Sequence, residues 1–130
     1  MLLTDKKFIT EFNQAVYNSI QQSNYSLISI CNELHLSRSQ VHRRIKSITG
    51  LSATHYIRRI RMQYAAHLLT NHEIKIVEIS AIVGIKSVQN FSKYFKCEFG
   101  ISPSQYKCQV SYPTNNSNTS TIFFDFKEIH

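Results

Sequence analysis

Between Leu34 and His72 the chain carries Arg38, Arg43, Arg44, Lys46, Arg58, Arg59 and Arg61, together with five of its six histidines, and no Asp or Glu. Such a block has a field of one sign. It attracts polyanions from a distance, and each phosphate it neutralises releases condensed counterions, so the chemistry it suits is binding rather than bond making. Nucleic acid and an anionic membrane surface are the natural partners; a solvated helix face that only keeps the chain soluble is the plain alternative. The membrane version needs a basic helix with an apolar face left over for lipid. The apolar faces identified below are claimed by the core.

Residue groupings for catalysis are missing. There is no Ser-His-Asp arrangement and no Gly-rich phosphate loop, and acids are sparse. Cys31 and His35 have the spacing of a helical ligand pair, but two residues do not complete a metal site, and Cys31 reads more simply as a small core residue. Cys97 and Cys108 sit in no recognisable motif. Three cysteines without close pairing, and no apolar span of 18 residues, indicate a reduced, cytoplasmic protein; no catalytic, metal or cofactor site is expected, and no small-molecule ligand is evident in the sequence.

The elements that must position the basic block are helices. In 130 residues with 42% apolar content, three Gly and two Pro leave too few turn makers for a sandwich of short strands. Phe8, Phe12, Val16 and Ile20 recur at helical spacing and predict a first helix over about residues 5–22, capped by Thr4 or Asp5. Leu27, Ile30, Cys31 and Leu34 predict a short second helix with Ser26 as cap. Val41, Arg44, Ile45 and Ile48 mark a third, stopping at Thr49-Gly50, where glycine takes the left-handed conformation. A longer helix over about residues 54–70 carries the stripe Ile57, Ile60, Tyr64, Leu68, with Arg58, Arg59 and Arg61 beside or opposite it.

The pattern then repeats. Ile76, Ile79, Ser80 and Val83 predict a short helix ending at Gly84-Ile85, and Ser87 opens another with core positions Phe91, Tyr94 and Phe95 that closes at Phe99-Gly100. Each copy is a helix, a tight turn and a second helix ending in glycine, which is the sequence form of a helix-turn-helix. From Ser111 the composition becomes polar and aperiodic, so residues 111–130 read as a linker followed by the short apolar segment 122–126. That segment could dock on the body, bind a partner or have no role. The domain proper is then residues 1–110, with 14 basic and 6 acidic side chains.

Over residues 5–107 the chain resembles the DNA-binding domain of the AraC/XylS family of bacterial transcription regulators. The first unit reads Leu36-Ser37-Arg38-Ser39-Gln40-Val41-His42-Arg43-Arg44-Ile45-Lys46 followed by Thr49-Gly50. In the second, Ile79, Gly84-Ile85, Phe91, Phe95-Lys96, Phe99-Gly100, Ser102-Pro103 and Tyr106-Lys107 fall at the family's signature spacing. The sequence departs from the family at three places: His35 where glycine is usual, Ala53 where proline is common, and Ile85 where phenylalanine is common. His35 would be strained if its position needs positive φ. The resemblance implies an all-α fold of about seven helices, two helix-turn-helix units joined by a long connecting helix, acting on double-stranded DNA. It further implies activation through RNA polymerase. Ser37-Arg38-Ser39-Gln40 and Thr49-Gly50-Leu51-Ser52 also look like output domains of hybrid two-component sensors, so an output-domain fragment, or a protein-interaction or architectural module with weak sequence reading, are the rival readings.

A connecting helix of about 17 residues spans roughly 25 Å, enough for one monomer to hold two recognition helices near one duplex turn apart and read adjacent major grooves. A spacing that does not match straight DNA would require the duplex to bend. With Val41, Ile45 and Ile48 in the core, Arg38, Ser39, Gln40, His42, Arg43 and Lys46 face outward; with Phe91 and Phe95 in the core, Val88, Gln89, Asn90, Ser92 and Lys93 do. Arg43 suits guanine, Gln40, Gln89 and Asn90 suit adenine, and Val88 suits a thymine methyl. The resemblance selects Ser39, Gln40, His42 and Arg43 in the first unit and Val88, Gln89 and Lys93 in the second. Arg38, Lys46, Lys86 and Lys96, near helix ends, suit phosphates, with Ser92 beside them; Arg58 and Arg61 join them or simply solvate the connecting helix.

Overall fold

The computed structural model describes residues 3–71 and 73–111. It forms seven helices in the order α1 (Leu3–Gln21), α2 (Leu27–Leu34), α3 (Arg38–Thr49), α4 (Ala53–Leu68), α5 (Ile76–Ile82), α6 (Val88–Phe99) and α7 (Pro103–Ser111), with no strand among the described residues. The chain divides into two compact units, Met1–Ile60 and Arg61–His130, and α4 runs from the first into the second.

In the first unit α1 packs on α2 and α2 on α3. Phe8, Phe12, Val16 and Ile20 of α1 are all buried, as the period of 3.6 requires, and the Phe12 ring lies 5.8 Å from that of Tyr56 in α4. Ile30 and Cys31 of α2, Val41 and Ile45 of α3, and Ala53, Tyr56, Ile57 and Ile60 of α4 are buried with them. Burying a side chain of this size contributes about 1.5–3 kcal/mol. Burial also pushes the Cys31 thiol up against the opposing pull of Arg38, which fits an inert core residue.

In the second unit Met62, Ala65 and Ala66 from the rest of α4, with Leu69 just beyond its end, form one core with Ile79, Val83, Phe91 and Phe95. The rings of Phe95, Phe99 and Tyr106 cluster with centroids 4.6 to 5.7 Å apart in tilted and edge-on pairs, joining α6 to α7. Lys107 donates from Nζ to the Ile74 carbonyl at 2.9 Å. Pro103 stands at the first position of α7, where its missing N–H has no helical partner to lose.

Several boundaries differ from the sequence reading. α1 begins at Leu3, so Thr4 and Asp5 lie inside its first turn rather than at its cap, where Asp5 complements the positive end of the helix dipole. Ser26 holds the N-cap position of α2 without a side-chain cap bond. α4 starts and stops one to two residues earlier than its stripe suggests. Ser111 closes α7 and is not linker, while the tail 112–130 lies outside the described residues. Ile48 and Tyr94, expected in the core, are only half-buried.

Candidate nucleic-acid interface

The two turns hold their recognition helices by different residues at one backbone position. His35 caps α2 at φ 57°, the left-handed region, and the chain returns through the Leu36 N–H, which donates to the Cys31 carbonyl at 3.1 Å. Gly84, its counterpart in the second unit, has φ 85°, and the Ile85 N–H donates to the Ser80 carbonyl at 2.9 Å. The buried Ser80 hydroxyl adds a 2.6 Å bond to the Ile85 carbonyl. The strain expected of His35 is therefore present, since a side chain with Cβ adopts this region at a cost of roughly 1–2 kcal/mol.

Both recognition helices then start on serine and stop on glycine. Ser37 accepts the Gln40 N–H at 3.1 Å while its own N–H donates to Gln40 Oε1 at 2.9 Å, a reciprocal capping box. Ser87 accepts the Asn90 N–H at 3.2 Å, and its hydroxyl donates to Gln89 Oε1 at 3.1 Å. Gly50 at φ 78° and Gly100 at φ 80° donate back to the carbonyls of Lys46 and Lys96. From Val41 to Gly50 the succession of buried, half-buried and exposed residues is repeated, position for position, from Phe91 to Gly100. Fifty residues apart, the chain builds the same helix with the same inward face.

The outward faces carry the predicted contact residues. On α3, Arg38, Ser39, Gln40, Arg43 and Lys46 are exposed and His42 is half-buried. On α6, Gln89, Asn90, Lys93 and Lys96 are exposed, Val88 and Ser92 half-buried, and Lys86 is exposed just ahead of the helix. α3 has no acid, and α6 has Glu98 in its last turn. Arg58 and Arg61 lie on α4, both half-buried and both engaged within the protein.

One basic residue of the block has a different environment. Arg44 lies 3.6 Å from Asp5 and 4.2 Å from the centroid of the Phe8 ring, so its guanidinium bridges α3 to the start of α1. Its charge is seen in the sequence; its tertiary partners are not. Among the described residues no three His, Cys, Asp or Glu side chains gather as a metal site, and no helix is long and apolar enough to cross a membrane.

The family model described as "Helix-turn-helix domain" matches residues 30–109. The chain is 32% identical over 107 residues to "Histidine kinase P4" of Formosa agariphila, covering 82% of this chain and 8% of that protein. It is 32% identical over 105 residues to the "Msm operon regulatory protein" of Streptococcus mutans, covering 81% of this chain and 37% of that protein. The chain thus spans little more than a third, or less, of these curated relatives. Among solved structures, the C-terminal domain of AraT, a response regulator from Geobacillus stearothermophilus, superposes with a TM-score of 0.66 at 30% identity, covering 91% of each chain. With two helix-turn-helix units, the repeated recognition helix and these matches, the chain belongs to the AraC-type family of helix-turn-helix DNA-binding transcription regulators, a family of regulators and not of enzymes.

Proposed function

We propose that residues 1–110 bind duplex DNA sequence-specifically as a monomer, placing α3 and α6 in adjacent major grooves, and activate transcription in the cytoplasm through contact with RNA polymerase. The observation that carries this reading is the repeat of one helix, with matched caps and inward face, whose two outward faces are rich in Arg, Lys, Gln and Asn. Ser39, Gln40, His42 and Arg43 on α3, and Val88, Gln89, Asn90 and Lys93 on α6, reach base edges. Arg38, Lys46, Lys86, Ser92 and Lys96 hold phosphates, with Arg58 and Arg61 contributing from α4. The basic block on α3 and α4 gives the first unit the larger share of the salt-dependent affinity. Methylation interference on a bound duplex tests the geometry. Two clusters of sensitive guanine N7 atoms about 10 base pairs apart support it, and one cluster, or minor-groove sensitivity alone, removes it.

A second reading, that the chain serves as the output domain of a larger two-component regulator, is favoured by its match to a small part of a protein named as a histidine kinase and to a response regulator's C-terminal domain. Both readings share the same DNA chemistry.

A further inference from the structure

In both recognition helices the serine cap holds the side-chain carbonyl of a glutamine. The Ser37 N–H donates to Gln40 Oε1 at 2.9 Å, and the Ser87 hydroxyl donates to Gln89 Oε1 at 3.1 Å. The same habit recurs away from the proposed interface, where the Ser102 N–H donates to Gln105 Oε1 at 3.1 Å at the start of α7. Reading adenine requires an amide that accepts from N6 and donates to N7 together. In Gln40 and Gln89 the accepting oxygen is turned back on the first helical turn, so the half of the amide left for a base is the Nε2 donor. Asn90 differs. It occupies in α6 the place of Gln40 in α3, one methylene shorter, and Ser87 engages it through its backbone N–H rather than its side chain.

We propose that Gln40 and Gln89 are donor-only base readers that select guanine, through O6 or N7, or thymine, through O4, and that of these three amides only Asn90 recognises adenine. The inference deepens the DNA-binding reading above and rests on it. With the cap intact, guanine offers a donor two adjacent acceptors and thymine offers one. Adenine sets an N6 donor beside its single N7 acceptor, and cytosine presents only a donor. Swinging Gln40 to take adenine in both bonds would break the half of the capping box that holds the Ser37 N–H, and swinging Gln89 would give up its bond from the Ser87 hydroxyl.

Selection of bound sequences from a random duplex pool, run on the full chain and three variants, tests this. Gln40→Ala should relax one position at which the wild-type chain selects guanine or thymine, lowering discrimination against cytosine by about tenfold. Gln40→Glu keeps an acceptor for the Ser37 N–H and loses the donors; it should melt near the wild-type temperature and switch that position to cytosine, whose N4 donates to a carboxylate. Asn90→Ala should relax an adenine. Adenine favoured tenfold over guanine at the Gln40 position overturns the inference and leaves the DNA reading standing, as does a Gln40→Ala variant with unchanged preferences at every position. A wild-type chain that enriches no sequence removes the DNA reading and this inference together.

Discussion

The hydroxyl of Tyr56 donates a 2.8 Å hydrogen bond to Asn13 Oδ1, and both residues are buried, 43 positions apart in the chain. The bond ties the first turns of α4 to the middle of α1. Tyr56→Phe leaves a buried oxygen without its donor and should lower stability by about 1–3 kcal/mol. Pairing it with Asn13→Leu removes both polar groups, so the double variant should lose less than the two single losses added. Urea denaturation, read as a shift of midpoint at constant slope, measures each.

Alkaline pH should weaken the fold through its tyrosines. Burial raises Tyr106 above the ordinary value of 10.0, and burial also raises Tyr56, against the smaller opposing effects of Asn13 and Arg59. A phenol that holds its proton more tightly when folded contributes stability that is whole below 10.0 and is lost as pH climbs through the raised folded values. Melting from about pH 8 to about pH 11 should show stability falling above the ordinary tyrosine value, with a shallower fall in Tyr106→Phe.

The two helix-turn-helix turns predict opposite effects from mirror substitutions. His35→Gly relieves a left-handed residue at φ 57° and should stabilise the protein by about 0.5–1 kcal/mol, the relief being partly offset by greater freedom in the unfolded chain. Gly84→Ala places Cβ on a backbone at φ 85° and should destabilise by about 1 kcal/mol. Thermal melts of the two single variants check the signs.

Much of this architecture is legible in the sequence because apolar spacing and helix punctuation agree. Ser37 with Gly50, and Ser87 with Gly100, mark both recognition helices to the residue, and Val41, Ile45, Phe91 and Phe95 are inward as their spacing demands. α7 is harder to see. Tyr106 packs inward but Cys108 and Val110 are exposed, so no stripe announces it; the Ser102 and Gln105 capping box, read as serine followed three residues on by glutamine, is the local signal that does. The seat of Arg44 on Asp5 and Phe8 joins residues 36 or more positions apart, and no local pattern encodes it.

That seat separates neighbouring arginines in function. Arg43→Ala should weaken binding at one base position, whereas Arg44→Ala should lower stability by about 1 kcal/mol or less, as expected for a half-exposed ion pair with a ring contact, and leave base preferences unchanged. Lys96→Ala should weaken all sequences alike and reduce the salt slope of binding by about one unit. Gel shifts over base variants and salt concentrations distinguish the three.

The central claim, sequence reading of duplex DNA by two copies of one helix, meets its most direct test in the wild-type chain's selection from a random duplex pool at physiological salt. A two-part motif whose halves lie about 10 base pairs apart, the first relaxed by Arg43→Ala and the second by Asn90→Ala, is the predicted result. Recovery of the input pool without enrichment, with binding that depends on salt alone, would contradict it.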